Sequence, residues 1–173
     1  MHRSEPIHVS VGKIVLNLEA LEFLLRLFLY ESVGPKDPVF RFEKLSVGDS
    51  VPETPLTSYD PLGDLMRKVN ARLEQLGSPY RVDEALLAVR DAFAHGRAVG
   101  LDPQGPYRLV KFSPPKSGFV RVEAATELSP AWLHEQARRT TEQIVALRKA
   151  GRSLGLTCFP EDERSLLPNE PHN

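Results

Sequence analysis

Apolar residues recur at three- and four-residue spacing from about residue 10 to residue 31, at Ile14, Leu18, Leu21, Leu25 and Phe28, with Val15, Leu24 and Leu29 widening the stripe. That period predicts a long, well-buried helix. Gly34, Pro35 and Pro38 end it, and the stretch to Thr57, with Pro52 and Pro55, reads as a long connection with a short strand at residues 39–42. Asp60 before Pro61 starts a second helix, with Leu62, Leu65, Met66, Val69 and Leu73 on one face and Gly77 as its stop. A third helix begins near Asp83 and runs through Leu86, Leu87, Val89 and Phe93 to Gly96. Residues 107–112 and 119–124 alternate around Pro114-Pro115-Lys116-Ser117-Gly118, the pattern of a hairpin with Val110, Phe112, Val120 and Val122 turned to the core. Ser129 and Pro130 open the last long helix, which carries Trp132, Leu133, Ala137, Ile144 and Leu147 to about Gly151. The expectation is a mainly α bundle of four to five helices, with a small β-hairpin inserted before the last one. It forms one domain over residues 1–157, followed by a loosely ordered polar tail, residues 158–173.

Composition supports a folded chain and narrows its chemistry. The 173 residues suffice for one core, and 41% apolar with 26% charged residues is ordinary for a globular domain. The single cysteine, Cys158, excludes an internal disulfide and a cysteine-rich metal cluster, and the amino terminus lacks the pattern of a secretory signal. A cytoplasmic setting is expected. Lys13, Asn17, Glu19, Glu22 and Arg26 interrupt the longest apolar stretch, so no membrane contact is expected either. His2, His8, His134 and His172 are scattered without ligand spacing, and neither a phosphate loop nor a Gly-x-Ser-x-Gly elbow occurs, so no metal and no cofactor is expected.

A net charge of −1 gives no global pull on a polyanion, but the charges segregate. From Arg90 to Arg121 the cations are Arg90, Arg97, Arg108, Lys111, Lys116 and Arg121, against Asp91 and Asp102 alone. Arg97, Arg108, Lys111 and Arg121 are candidate RNA-backbone contacts, since phosphate contacts position a strand without reading it. A solvated hairpin face is the plainer reading of the same residues.

The third helix carries the only pointed chemistry. At about 100° per residue, Arg90 falls in the apolar stripe beside Leu86, Leu87, Phe93 and Ala94, where its charge requires a partner. Ala85, Ala88 and Ala92 form a strip that admits close approach of another helix. Asp91 and His95, four residues apart, share a polar edge on which Asp91 can orient the imidazole. Histidine titrates near neutrality and arginine offers a planar fork for phosphate oxygens, so these types suit phosphoryl chemistry. Two readings stay open: Arg90, Asp91 and His95 act on a substrate, or Arg90 and Asp91 form an internal ion pair while His95 caps the helix.

Arg90-Asp91-Ala92-Phe93-Ala94-His95, followed by Gly96, resembles the ribonuclease signature of the HEPN superfamily, an arginine followed by a polar residue with a histidine four to six positions on. The resemblance implies an up-and-down helical bundle and a homodimer in which two motifs meet to cleave RNA without metal. It further implies that His95 serves as general base or acid at the ribose 2′-hydroxyl or leaving oxygen, with Arg90 holding the phosphate and Asp91 positioning one of them. Products would be a 2′,3′-cyclic phosphate and a 5′-hydroxyl. The partners implied are RNA, a second copy, and an antitoxin or nucleotidyltransferase of the toxin and defence type. Some members of that superfamily serve instead as nucleotide- or protein-binding modules without catalysis.

Overall fold

The structure is a computed structural model, and it describes residues 6–33, 44–100 and 106–159. Four helices and one small sheet follow in the order α1 (Ile7–Val33), α2 (Leu62–Gln75), α3 (Leu86–His95), β1 (Arg97–Val99), β2 (Arg108–Phe112), β3 (Val122–Glu127) and α4 (Pro130–Ser153). The mainly α expectation therefore holds. The strand expected at residues 39–42 and the tail beyond residue 159 lie outside the described residues.

α1 is the hub, packing against α4, α2 and α3. Ile14, Leu18, Leu21, Leu25 and Phe28 form its core face, all at or below 4% exposure. They meet Leu62, Leu65, Met66, Val69 and Leu73 of α2, Leu86 and Val89 of α3, and Leu133 and Leu147 of α4 in one apolar cluster. Each fully buried leucine here contributes about 2 kcal/mol by removal from water. The helix starts three residues before the expected Ser10.

The direction of the helices departs from a strict up-and-down alternation. The Asn17 amide donates to Thr140 Oγ1 and Thr141 Oγ1, both at 3.1 Å, and fourteen residues further on Glu31 accepts from Thr157 Oγ1 at 2.9 Å. α1 and α4 thus run side by side in the same direction. α3 opposes α4, because Asp83 before its start meets Arg139 while Phe93 near its end meets Trp132. The sheet between α3 and α4 returns the chain to the end of the bundle where α3 stopped, so α4 does reverse α3, and the departure from alternation lies earlier, between α1 and α3.

The hairpin is part of a larger sheet than expected. β1 adds a third strand, and the antiparallel order is β1-β2-β3. Arg97 pairs with Val110 and Val110 with Ala125. The inward face also differs: Leu109, 4% exposed, enters the core, whereas Val110 and Phe112 are half-buried and Val120 and Val122 are exposed. Strands alternate with period two, so a one-residue change of face exchanges the whole set. β3 starts three residues later than expected because the turn is longer, running from the Ser113–Arg121 pair through a tight reversal at Ser117 and Gly118, both with positive φ.

Past α4 the chain stays packed. Phe159 is 3% exposed and Cys158 packs against the same cluster, so the domain extends beyond the boundary expected after residue 157. Glu31 anchors this end. Burial acts to raise its carboxyl, but hydrogen bonds from Thr157 and Cys158 outweigh that and hold it below the usual carboxylate range.

Candidate functional site

Gly96 sets the geometry of the motif. Its N–H donates to the Ala92 carbonyl at 2.8 Å, and its extended backbone then leads straight into β1. A Cβ at this position would lie 2.1 Å from the Ala92 carbonyl oxygen and 2.9 Å from Leu109, so a side chain would break the tight junction of helix and sheet. That junction places the sheet immediately beside the last turns of α3.

Helical spacing put Arg90 in the middle of the apolar stripe; the structure has it at the edge of that face, with 36% of its side chain exposed. It borders a cleft of about 170 Å³ together with Val15, Leu18, Glu19, Phe93 and Ala94. Nη1 donates to Asp91 Oδ1 at 3.2 Å. Among the described residues no other protein group takes the remaining guanidinium donors.

Asp91 does not pair with His95, contrary to the expected contact on a shared edge. Its second oxygen lies 4.0 Å from Lys111 Nζ, which is 3.6 Å from Glu123. The carboxylate is therefore drawn between two cations, Arg90 on its own helix and Lys111 on β2. His95 is exposed at the end of α3 and makes no hydrogen bond with the described residues. It does not cap the helix; the cap bond belongs to the Gly96 N–H.

The four candidate RNA contacts divide between the two faces of the sheet. Lys111 joins Leu109 on the inner face, next to α3. Arg97 and Arg108 fall on the outer face, because Arg97 pairs with Val110 and Arg108 lies two residues away on the same strand. Arg97 stacks over Phe112 with its guanidinium carbon 5.3 Å from the ring centroid, and Arg108 pairs across the ladder with Glu127. Arg121 is exposed beside the turn, its backbone N–H donating to Ser113 Oγ. The structure thus joins Arg90, Asp91 and Lys111 and leaves Arg97, Arg108 and Arg121 apart from them. Lys111's part in the motif was not visible as a spacing, since it comes from a strand twenty residues downstream.

Two of the larger recesses lie along the start of α1. One, of about 810 Å³, runs between the first turns of α1 and α4 and is lined by Lys13, Asn17, His134 and Arg138. The other, of about 510 Å³, is mainly apolar and lies between the start of α1 and the sheet, with Phe93, Gly96, Tyr107 and Leu109. Neither contains Arg90, Asp91 or His95. No group of three or more His, Cys, Asp or Glu side chains among the described residues is arranged to hold a metal, and no helix among them is long and apolar enough to cross a membrane.

The chain matches no protein-family profile, no curated protein and no solved structure.

Proposed function

We propose that the chain is a metal-independent endoribonuclease of the HEPN-like kind, acting as a homodimer whose site combines Arg90 and His95 from two copies of α3. The observation that carries this reading is the state of the two side chains. Arg90 presents donors to a cleft, and His95 stands exposed with no side-chain partner among the described residues, within a turn and a half of the same helix. The five-residue separation directs them about 140° apart around one helix axis, so a single copy does not bring both onto one phosphate.

Asp91 fits this chemistry as a positioning residue. A free carboxylate here would repel phosphate, but Arg90 and Lys111 offset its charge. Arg90 then holds a phosphate oxygen with its remaining donors, and a His95 imidazole takes the proton from the ribose 2′-hydroxyl as that oxygen attacks the adjacent phosphorus. The 5′ oxygen leaves with a proton, giving a 2′,3′-cyclic phosphate and a 5′-hydroxyl. Arg97, Arg108 and Arg121 supply further phosphate contacts along the sheet.

The Arg90–Asp91 ion pair is the specific observation that favours a second reading, a non-catalytic module binding a nucleotide or a partner protein. Cleavage of RNA in the presence of a chelator separates the two. Wild type is expected to cleave and both Arg90→Ala and His95→Ala to lose cleavage; activity surviving both substitutions removes the ribonuclease reading.

A further inference from the structure

The space between the start of α1 and the inner face of the sheet is not filled by the described residues. A recess of about 510 Å³ opens there, and the residues facing it along the chain leaving α3 are small, Gly96 and Ala98. Two aromatic rings flank it. Phe93 is fixed by its ring contact with Trp132 on α4, the centroids 6.0 Å apart. Tyr107 lies so close to the Gly100 backbone that a Cβ on residue 100 would be 2.8 Å from its ring. Aliphatic side chains from α1 and the sheet complete the lining, to which His8 and the Tyr107 hydroxyl bring the polar side-chain groups. Interiors pack without voids of this size, and water gains few hydrogen bonds in one so apolar.

We infer that this recess is a binding site for a small aromatic molecule, flat over one or two rings and carrying one anionic group, and that its occupation is coupled to the Arg90 cleft. Shape and charge select the ligand. Aromatic rings and small residues around a preformed gap suit a flat apolar body, which stacks or packs edge to face. No acidic side chain among the described residues lines the recess, and none stands in the first turn of α1. His8, exposed in that turn, offers a ring N–H to the anionic group.

The coupling concerns the site of the proposed ribonuclease and to that extent rests on that reading. Phe93 lines both the recess and the Arg90 cleft of about 170 Å³. Gly96, which also lines the recess, adjoins His95. A molecule packed against Phe93 and Gly96 holds the last turn of α3 still, so the Phe93 ring no longer yields to a phosphate entering the smaller cleft.

Two probes of nearly the same shape test the site on the full chain: anionic 8-anilinonaphthalene-1-sulfonate and neutral N-phenyl-1-naphthylamine. Wild type is expected to bind the anionic probe once per chain, with Kd on the order of 10 μM for a ligand of this size, and the neutral probe severalfold more weakly. Amide resonances of residues 96–98 and 107–109 and the Arg90 guanidinium resonance shift on titration. Ala98→Phe, at an exposed position where the fold is checked by circular dichroism, fills the recess and weakens both probes at least about 10-fold. His8→Ala weakens the anionic probe alone, and Phe119→Ala, 80% exposed at the hairpin tip, weakens neither. A wild type that binds neither probe at about 1 mM, or binding that survives Ala98→Phe, overturns the site. So does a free chain in which nuclear Overhauser contacts show another of its own segments already against Ala98 and Tyr107. An Arg90 resonance unmoved by bound probe removes the coupling. A chain that binds the probe but leaves RNA intact keeps the site and removes the ribonuclease reading, whereas one that cleaves RNA and binds no probe does the reverse.

Discussion

The two ends of α3 are built on opposite terms. At the amino end polar groups are tied across the bundle: Arg139 donates to Asp83 Oδ2 at 2.6 Å, Gln143 Oε1 accepts from the Asp83 N–H at 3.0 Å and from the Tyr80 hydroxyl at 2.7 Å, and Asn70 accepts from the Val82 N–H at 2.7 Å. Burial, helped by the Asp83 charge, raises the Tyr80 hydroxyl so far that it stays protonated as a donor. At the carboxyl end, Arg90 uses one nitrogen on its neighbour and His95 uses none with the described residues. Satisfied networks hold a helix in place, while spare donors and acceptors at the surface are what a ligand engages. One end anchors and the other presents.

If that division is right, substitutions at the two ends separate activity from stability. The largest effect belongs to the presenting end. Arg90→Ala and His95→Ala are each expected to lower the RNA-cleavage rate by about 10²–10⁴-fold, while thermal unfolding places their stability within about 0.5 kcal/mol of wild type. Loss of stability in parallel with loss of cleavage would make both ends structural and erase the contrast.

The anchoring end responds in the other currency. Asp83→Ala removes the Arg139 contact and the hydrogen bond that Asp83 Oδ1 accepts from the Ala85 N–H, and denaturant unfolding should show a loss of about 1–2 kcal/mol. The Arg139 hydrogen bond holds the Asp83 carboxyl below its usual range against a smaller desolvation effect. A carboxylate with a lowered folded-state pKa stabilises the protein above its unfolded value of about 3.9, and that contribution fades as pH falls through the folded value. Wild type should therefore lose more stability than Asp83→Asn on acidification below about pH 4. Equal slopes for the two would show that the ion pair does not hold α3.

Much of this frame was legible from spacing alone. The core face of α1 from Ile14 to Phe28, the α2 face from Leu62 to Leu73, and the Ser129 cap, whose Oγ accepts from the Trp132 N–H at 3.3 Å, are local patterns that tertiary contacts did not override. The sheet was harder to read. β1 is only three residues long, and its signal lies in pairing with a strand about ten residues on. Leu109 and Val110 are both apolar, so alternation could not decide which of them faces inward; the close contact of Leu109 with Gly96 decides it. Helical geometry put Arg90 beside Phe93 and Ala94, which border its cleft, but mid-stripe rather than at the edge where 36% of its side chain is exposed. The partner of Asp91 did not follow from that geometry, because two candidates on its own helix were visible in the sequence and the third, Lys111, arrives only through the fold.

Lys111 gives the smallest of these effects and tests how the presenting end is tuned. Its Nζ lies 4.0 Å from Asp91 and 3.6 Å from Glu123, with 28% of its side chain exposed. A pair at these distances near the surface stabilises weakly, so Lys111→Met should change stability by less than about 0.5 kcal/mol. With Lys111 gone, Asp91 presents its charge to whatever Arg90 is to hold, and Arg90 is the cation left beside it among the described residues. An RNA phosphate must then displace a tighter internal ion pair, so KM for RNA should rise severalfold with kcat little changed. A fall in kcat at constant KM would instead place Lys111 at the reacting phosphate, and no change in either would leave Asp91 governed by Arg90 alone.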